Sequence, residues 1–260
     1  MASQGKMAPL IEDWKAHCEQ IGGTADAIFA TADVKITEKG FADPTYLSLT
    51  LLARTVSNLK AALTLLHASR IVEARTITRC VLENLYWTVG LVEDGDTFVK
   101  QMRDDELSHR RSMGQAIFSG EHQLDGKVEE RLRTQMRDLN RNGPVTKVLN
   151  PKAVAGIRGD FKRSYIFYAQ LSSDSAHPSV TALNRYVVAD LQGPGFDTNP
   201  IVRPNEVAET LEYLSMSALG VCVGVNQILG GTPGGEQLQA RAARHDELSN
   251  RTRDGSERDD

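Results

Sequence analysis

Apolar residues over 43–118 recur with a helical period. Leu47, Leu51, Thr55, Leu59, Ala62 and Leu66 follow at steps of three or four, which puts them on one face and predicts a core-facing helix. Asp43-Pro44 marks its start: the aspartate can accept from orphan N–H groups of the first turn, and proline needs no donor there. A second helix is predicted over 71–92, with Ile71, Thr78, Leu82, Leu85 and Val89 along its stripe. The link at His67, Ala68 and Ser69 is so short that the two helices should form an antiparallel hairpin. Gly95 interrupts the pattern, and a third helix is predicted over 96–118.

The pattern then thins. Residues 121–141 read as a charged, solvated arm whose weak seam is Val128, Leu132, Met136 and Leu139, stopped by Asn142-Gly143-Pro144. A helix over 160–171, with Phe161, Tyr165, Ile166 and Tyr168, runs into Ser172-Ser173-Asp174-Ser175-Ala176-His177-Pro178. Tyr186, Val187 and Val188 read as a short strand before a Gly193-Pro194-Gly195 turn, with Ile201-Val202-Arg203 as its partner in a small hairpin. Pro204 and Asn205 open a last long helix. Its apolar part, 214–229, is shorter than the roughly 18 residues a membrane span needs, so it reads as a buried core helix. The glycines at 230–235 close the domain, and 231–260, without an apolar seam, reads as a disordered tail. The expected fold class is all-α: an N-terminal helical segment (1–42) and one bundle-like domain (43–230) carrying the arm and the small β-hairpin.

Composition agrees with a folded chain. The 260 residues are 40% apolar and 25% charged, and 30 Lys plus Arg against 34 Asp plus Glu give a formal charge of -4. That balance argues against a surface coated in basic charge for indiscriminate nucleic-acid or membrane binding, although 127–163 is locally basic. Cys18, Cys80 and Cys222 are too few and too far apart for a disulfide framework or a cysteine-built zinc site, which points to a reducing cytosol. MASQGKMAPLIEDW lacks the apolar run of a secretory signal.

Candidate chemistry lies in polar residues on apolar helices. Arg75, Arg79 and Glu83 sit at i, i+4 and i+8 on the second helix, along one face. Arg54 and Asn58 form a shorter pair on the preceding helix, and the hairpin can bring the two polar faces together. Two interpretations follow. An Arg79–Glu83 bridge can simply fix the helix register; alternatively Arg54, Arg75 and Arg79 line a pocket for a small anionic ligand, with Glu83 orienting a guanidinium. His177 stands in a loop after a helix, restrained by Pro178, where site residues are common.

Thr78-Arg79-Cys80-Val81-Leu82-Glu83-Asn84 together with 171–178 resembles a family of mostly bacterial helical proteins of unknown function. In that family an Arg-x-x-x-Glu and a later Ser and His recur. The resemblance implies an all-helical fold and a residue set of Arg79, Glu83, Ser172 and His177, without a reaction. Arg103-Asp104-Asp105-Glu106-Leu107-Ser108-His109 is similar at motif level to the Arg-polar-x4-His of HEPN ribonucleases. That likeness implies a metal-independent site shared across a homodimer, with His109 handling protons and Arg103 stabilising phosphate charge. The motif stands earlier in the chain than HEPN motifs usually do.

Three functions stay open on the sequence. One is a non-enzymatic binding or regulatory module for a small anionic ligand or a protein partner. The second is a HEPN-like ribonuclease holding RNA on the basic arm, through Arg103 and His109 or through Arg79, Glu83 and His177. The third is a metal-dependent enzyme built on Glu83, Glu106, His109 and His177, although only one E-x-x-H pair is present and no metal is assigned. No phosphate loop, nucleophile elbow or dinucleotide fingerprint calls for a cofactor.

Overall fold

A computed structural model of the chain describes residues 2–35, 37–120, 125–141, 149–157, 159–190 and 193–256. Helix α1 (Ala2–Thr31) buries Leu10, Trp14, Cys18, Ile21, Ala25 and Ile28 along one stripe. Helix α2 (Pro44–His67) starts as the sequence predicts: Asp43 accepts from the backbone N–H of Thr45 at 2.8 Å, and Pro44 fills the first position. Its Leu51, Thr55, Leu59, Ala62 and Leu66 are buried. The hairpin link closes at Ser69 (φ 56°), where the Arg70 N–H donates back to the Leu65 carbonyl at 2.8 Å.

Helix α3 (Ile71–Ser119) joins the two helices expected at 71–92 and 96–118, and it is kinked at Gly95, whose φ of 49° and ψ of -120° lie outside the helical range. The predicted stripe of Ile71, Thr78, Leu82, Leu85 and Val89 is buried. The core lies where α1, α2 and α3 pack around α8 (Pro204–Ile228). Gly220 and Gly224 let α8 approach α3 within the chain: a Cβ there would stand 2.7 Å from Leu85 Cδ1 and 2.6 Å from Thr88 Cγ2.

Beyond the kink, α3 and α4 (Gly126–Arg141) form the arm. Met136 covers Gly114, Arg133 lies over the Phe118 ring at 4.9 Å, and no α4 side chain is fully buried, as expected of a solvated helix. The Asn142-Gly143-Pro144 stop lies outside the described residues. Short helices α5 (Pro151–Ala155), α6 (Ser164–Leu171) and α7 (Val180–Asn184) follow, with a π-helical turn, Ser172–Ala176, between the last two.

Two expectations change. The hairpin exists, but β1 (Val187–Asp190) pairs antiparallel with β2 (Gly193–Phe196), not with 201–203. The Gly-Pro-Gly read as a turn is itself the second strand, because a two-stranded ribbon has open edges on which a proline without an N–H is tolerated. The segment after the glycines forms α9 (Leu238–Ser256), packed against α1 and α8, where a loose tail was expected. Leu238 and Leu248 are buried, and polar contacts carry the rest: Trp14 Nε1 donates to Thr252 Oγ1 at 3.0 Å, and Arg241 reaches Gln20 at 2.6 Å. No described helix is long and apolar enough to cross a membrane.

Candidate functional site

Arg75 is the polar centre of the molecule. Its side chain is only 3% exposed, because α3 turns it inward between the Ser172–Ala176 turn and the first turns of α8. A guanidinium there needs compensating charge. Nε lies 2.8 Å from Asp174 Oδ2 as an ion pair, although without hydrogen-bond alignment. Nη1 donates to Glu209 Oε2 at 2.8 Å and to Thr210 Oγ1 at 3.2 Å, and Glu206 stands 4.0 Å away.

Arg185, just after α7, completes the network. Its Nε and Nη2 donate to Asp174 Oδ1 at 3.0 and 2.7 Å, and Nη2 also donates to Glu206. These bonds hold the Arg185 charge firmly, pushing its pKa further up. Glu209 Oε1 accepts from Gln170 Nε2 and Tyr213 Oη, both at 3.1 Å. Burial, followed by the Glu209 charge, raises the Tyr213 hydroxyl well above its ordinary pKa. Three carboxylates therefore face two guanidiniums in this network, which lines a cleft of about 880 Å³; Glu212, Arg203 and Arg253 also line it, so that the described lining as a whole carries four carboxylates and four guanidiniums. Arg203 and Asn205, both exposed at the start of α8, stand at its edge.

One turn along α3, Arg79 forms a second station. It donates to Tyr168 Oη, lies 5.2 Å from the centre of the Tyr168 ring and sits 3.7 Å from Glu83. Tyr165 stacks on Tyr168 with ring centres 5.7 Å apart, and burial, followed by the Glu83 charge, raises the Tyr168 pKa. Arg79 and Glu83 are thus joined as the helix-register interpretation expects, in a partly exposed pair.

The remaining predicted residues are spread out. Arg54 is exposed on α2, and the polar link between α2 and α3 is a bond from Asn84 Nδ2 to Thr55 Oγ1 at 3.1 Å. An anion expected among Arg54, Arg75 and Arg79 would meet carboxylates at Arg75 instead. Arg103 and His109 lie exposed on the distal limb of α3. Six residues of helix separate them by about 9 Å and turn them to different faces. His109 lies 3.7 Å from Asp105, and Glu106 is paired with Arg110. His177 is exposed at the end of the π-helical turn, where its N–H donates to the Ser172 carbonyl at 3.0 Å. Among the described residues no group of three or more His, Cys, Asp or Glu is placed to hold a metal.

Sequence reasoning missed Asp174, Glu206 and Glu209 as partners of Arg75, and Arg185 as the second cation that shares Asp174 and Glu206 with it. Glu206 and Glu209, three apart on one helix face, were the available signal. Arg185 gives none, since only the tertiary fold brings it in.

An all-α architecture with a charged cleft between α3 and α8 is the class of protein defined here. The chain belongs to the family of unknown function DUF5677, whose model matches residues 45–194. No curated protein and no solved structure matches it. The matched span contains Arg75, Arg79, Glu83, Asp174, His177 and Arg185, whereas Glu206 and Glu209 come from α8 beyond it.

Proposed function

We propose that this protein is a binding module whose ligand enters the cleft over Arg75 and Arg185 and presents a cationic group to Glu206 and Glu209. The observation that carries the proposal is local: at the cleft floor Asp174, Glu206 and Glu209 stand against Arg75 and Arg185, while Glu212, Arg203 and Arg253 bring the whole described lining to four carboxylates and four guanidiniums, in a space of ligand size. Glu209 keeps 32% of its side chain exposed while bonded to Arg75, so its carboxylate is both fixed in place and within reach. Arg203 at the edge offers a guanidinium to an acceptor on the same ligand. A guanidinium- or ammonium-bearing molecule, such as a basic amino acid or its decarboxylated amine, matches Glu206 and Glu209 in charge and the cleft in size.

Isothermal titration calorimetry with agmatine, arginine and glutarate tests the proposal. Agmatine and arginine should bind saturably and glutarate should not, and Glu209→Gln should weaken agmatine at least tenfold. Preferential binding of glutarate would overturn it.

A further inference from the structure

Further along α8, past the Arg75 cleft, the helix is grooved. Met216, Val223 and Gln227 lie seven and four positions apart, which keeps them on one stripe. Two cavities open along that stripe. The first, of about 310 Å³, is formed by Leu85 and Val89 of α3 with Met216 and Leu219 of α8; the second, of about 610 Å³, extends toward Gly231 and Leu238. Val223, Gln227 and Ala242 line both, so the two are one continuous groove along α8 and α9. Its α8 wall from Met216 to Gln227 is about 16 Å long. Val223, where the cavities join, is left 44% exposed although it belongs to the most apolar helix of the chain.

The lining decides what fits. No lysine or arginine is among the described residues of either cavity. His245 joins the first, but burial lowers the pKa of its ring, which is uncharged at neutral pH. The acidic residues of the first cavity are Glu93, which already has an interaction of its own, and Asp246. The second cavity has no charged residue in its described lining and carries a pair of amides instead. Gln227 and Gln239 are both exposed, and neither side chain is hydrogen-bonded to a described residue. A carboxylate placed at these amides would find no cation, and an ammonium there would lose hydration without gaining a carboxylate. A hydroxyl matches them, because each amide offers both a donor and an acceptor.

We infer that this groove binds an uncharged amphiphile, a medium-length alkyl chain ending in a hydroxyl, with the chain in the first cavity and the hydroxyl at the Gln227 and Gln239 amides. The groove shares no lining residue with the cleft over Arg75, so this site is independent of the cation proposed there.

Three probes with the same chain test the inference: decan-1-ol, decanoate and decylamine, each titrated calorimetrically into the full chain at pH 7.5. The alcohol should bind saturably and at least tenfold more tightly than either ion. Val223→Trp, at an exposed position that leaves the fold intact, should block the joint between the cavities and weaken the alcohol at least tenfold. Gln227→Ala combined with Gln239→Ala, both also exposed, should weaken the alcohol about fivefold through the lost hydrogen bonds. Decanoate or decylamine binding as tightly as the alcohol, alcohol affinity unchanged in either variant, or no saturable binding of the alcohol would overturn the inference.

Discussion

Arg75 on α3 and Glu209 on α8 are 134 positions apart in sequence and meet at 2.8 Å, Nη1 to Oε2, inside the protein. Two consequences follow from a guanidinium so placed. It ties the π-helical turn and the start of α8 to the central helix, and it fixes the carboxylates of Asp174 and Glu209 at the floor of the cleft.

Arg75→Met should therefore cost about 3 to 5 kcal/mol, the usual scale for removing one partner of a buried ion cluster. Glu83→Ala should cost less than about 1 kcal/mol, because the Arg79–Glu83 pair is 3.7 Å apart and its side chains are 22% and 33% exposed. Urea unfolding of the two variants checks both. Equal losses would contradict the assignment of Arg75 as the central ion.

Glycine positions separate cleanly. A Cβ on Gly234 would stand 2.3 Å from the backbone of Ala27 on α1, which cannot yield, so Gly234→Ala should destabilise by about 1 to 3 kcal/mol. Gly22, inside α1, would place a Cβ 3.6 Å from Leu59 Cδ2, an ordinary contact, and Gly22→Ala should stabilise by about 0.5 to 1 kcal/mol. Thermal unfolding midpoints moving in opposite directions would agree with this packing.

The docking of α9 is testable at Leu248, which is fully buried in the core. Leu248→Ala should cost about 2 to 5 kcal/mol. A loss within about 0.5 kcal/mol, the range for surface positions, would mean that α9 does not pack as described.

Acid should loosen the α1–α9 contact. His17 is 1% exposed with neither ring nitrogen hydrogen-bonded, and burial, with smaller contributions from His245, Arg241 and Arg244, lowers its pKa to about 4. Between about pH 6.5 and 4 the unfolded chain binds a proton at this position that the folded chain does not, so stability falls as pH drops through that window. Well below pH 4 the loss is complete, on the order of 3 kcal/mol. The stability difference between pH 7 and pH 4.5 should shrink in His17→Leu. An unchanged difference would show that His17 titrates normally.

The helices of the core were legible because their apolar stripes are long and regular. Leu51, Thr55, Leu59, Ala62 and Leu66 are buried as their spacing required, and the φ of Gly95 accounts for the break read at that residue. Helix α9 was not legible, since it docks with two leucines and a set of side-chain hydrogen bonds that leave no apolar period. The hairpin was half legible. Val187 and Val188 read as strand, but Gly193-Pro194-Gly195 carries turn chemistry and becomes a strand only by pairing with β1.

The site divides in the same way. Arg75 and Arg79 were readable as polar residues on an apolar helix, an anomaly local to one element. Their partners Asp174, Glu209 and Tyr168 come from other elements, and no spacing rule connects them. For that reason an anionic ligand was expected from the arginines alone, before the carboxylates that pair with Arg75 were in view.

The central claim is that a cation binds over this network, and the side-chain Nε–H signals of Arg75 and Arg185 in a ¹⁵N-labelled sample report on it directly. Saturating agmatine should shift both signals in the wild-type chain and leave them nearly unmoved in Glu209→Gln. Unmoved signals in the wild type at saturating agmatine, or equal shifts with glutarate, would contradict the account.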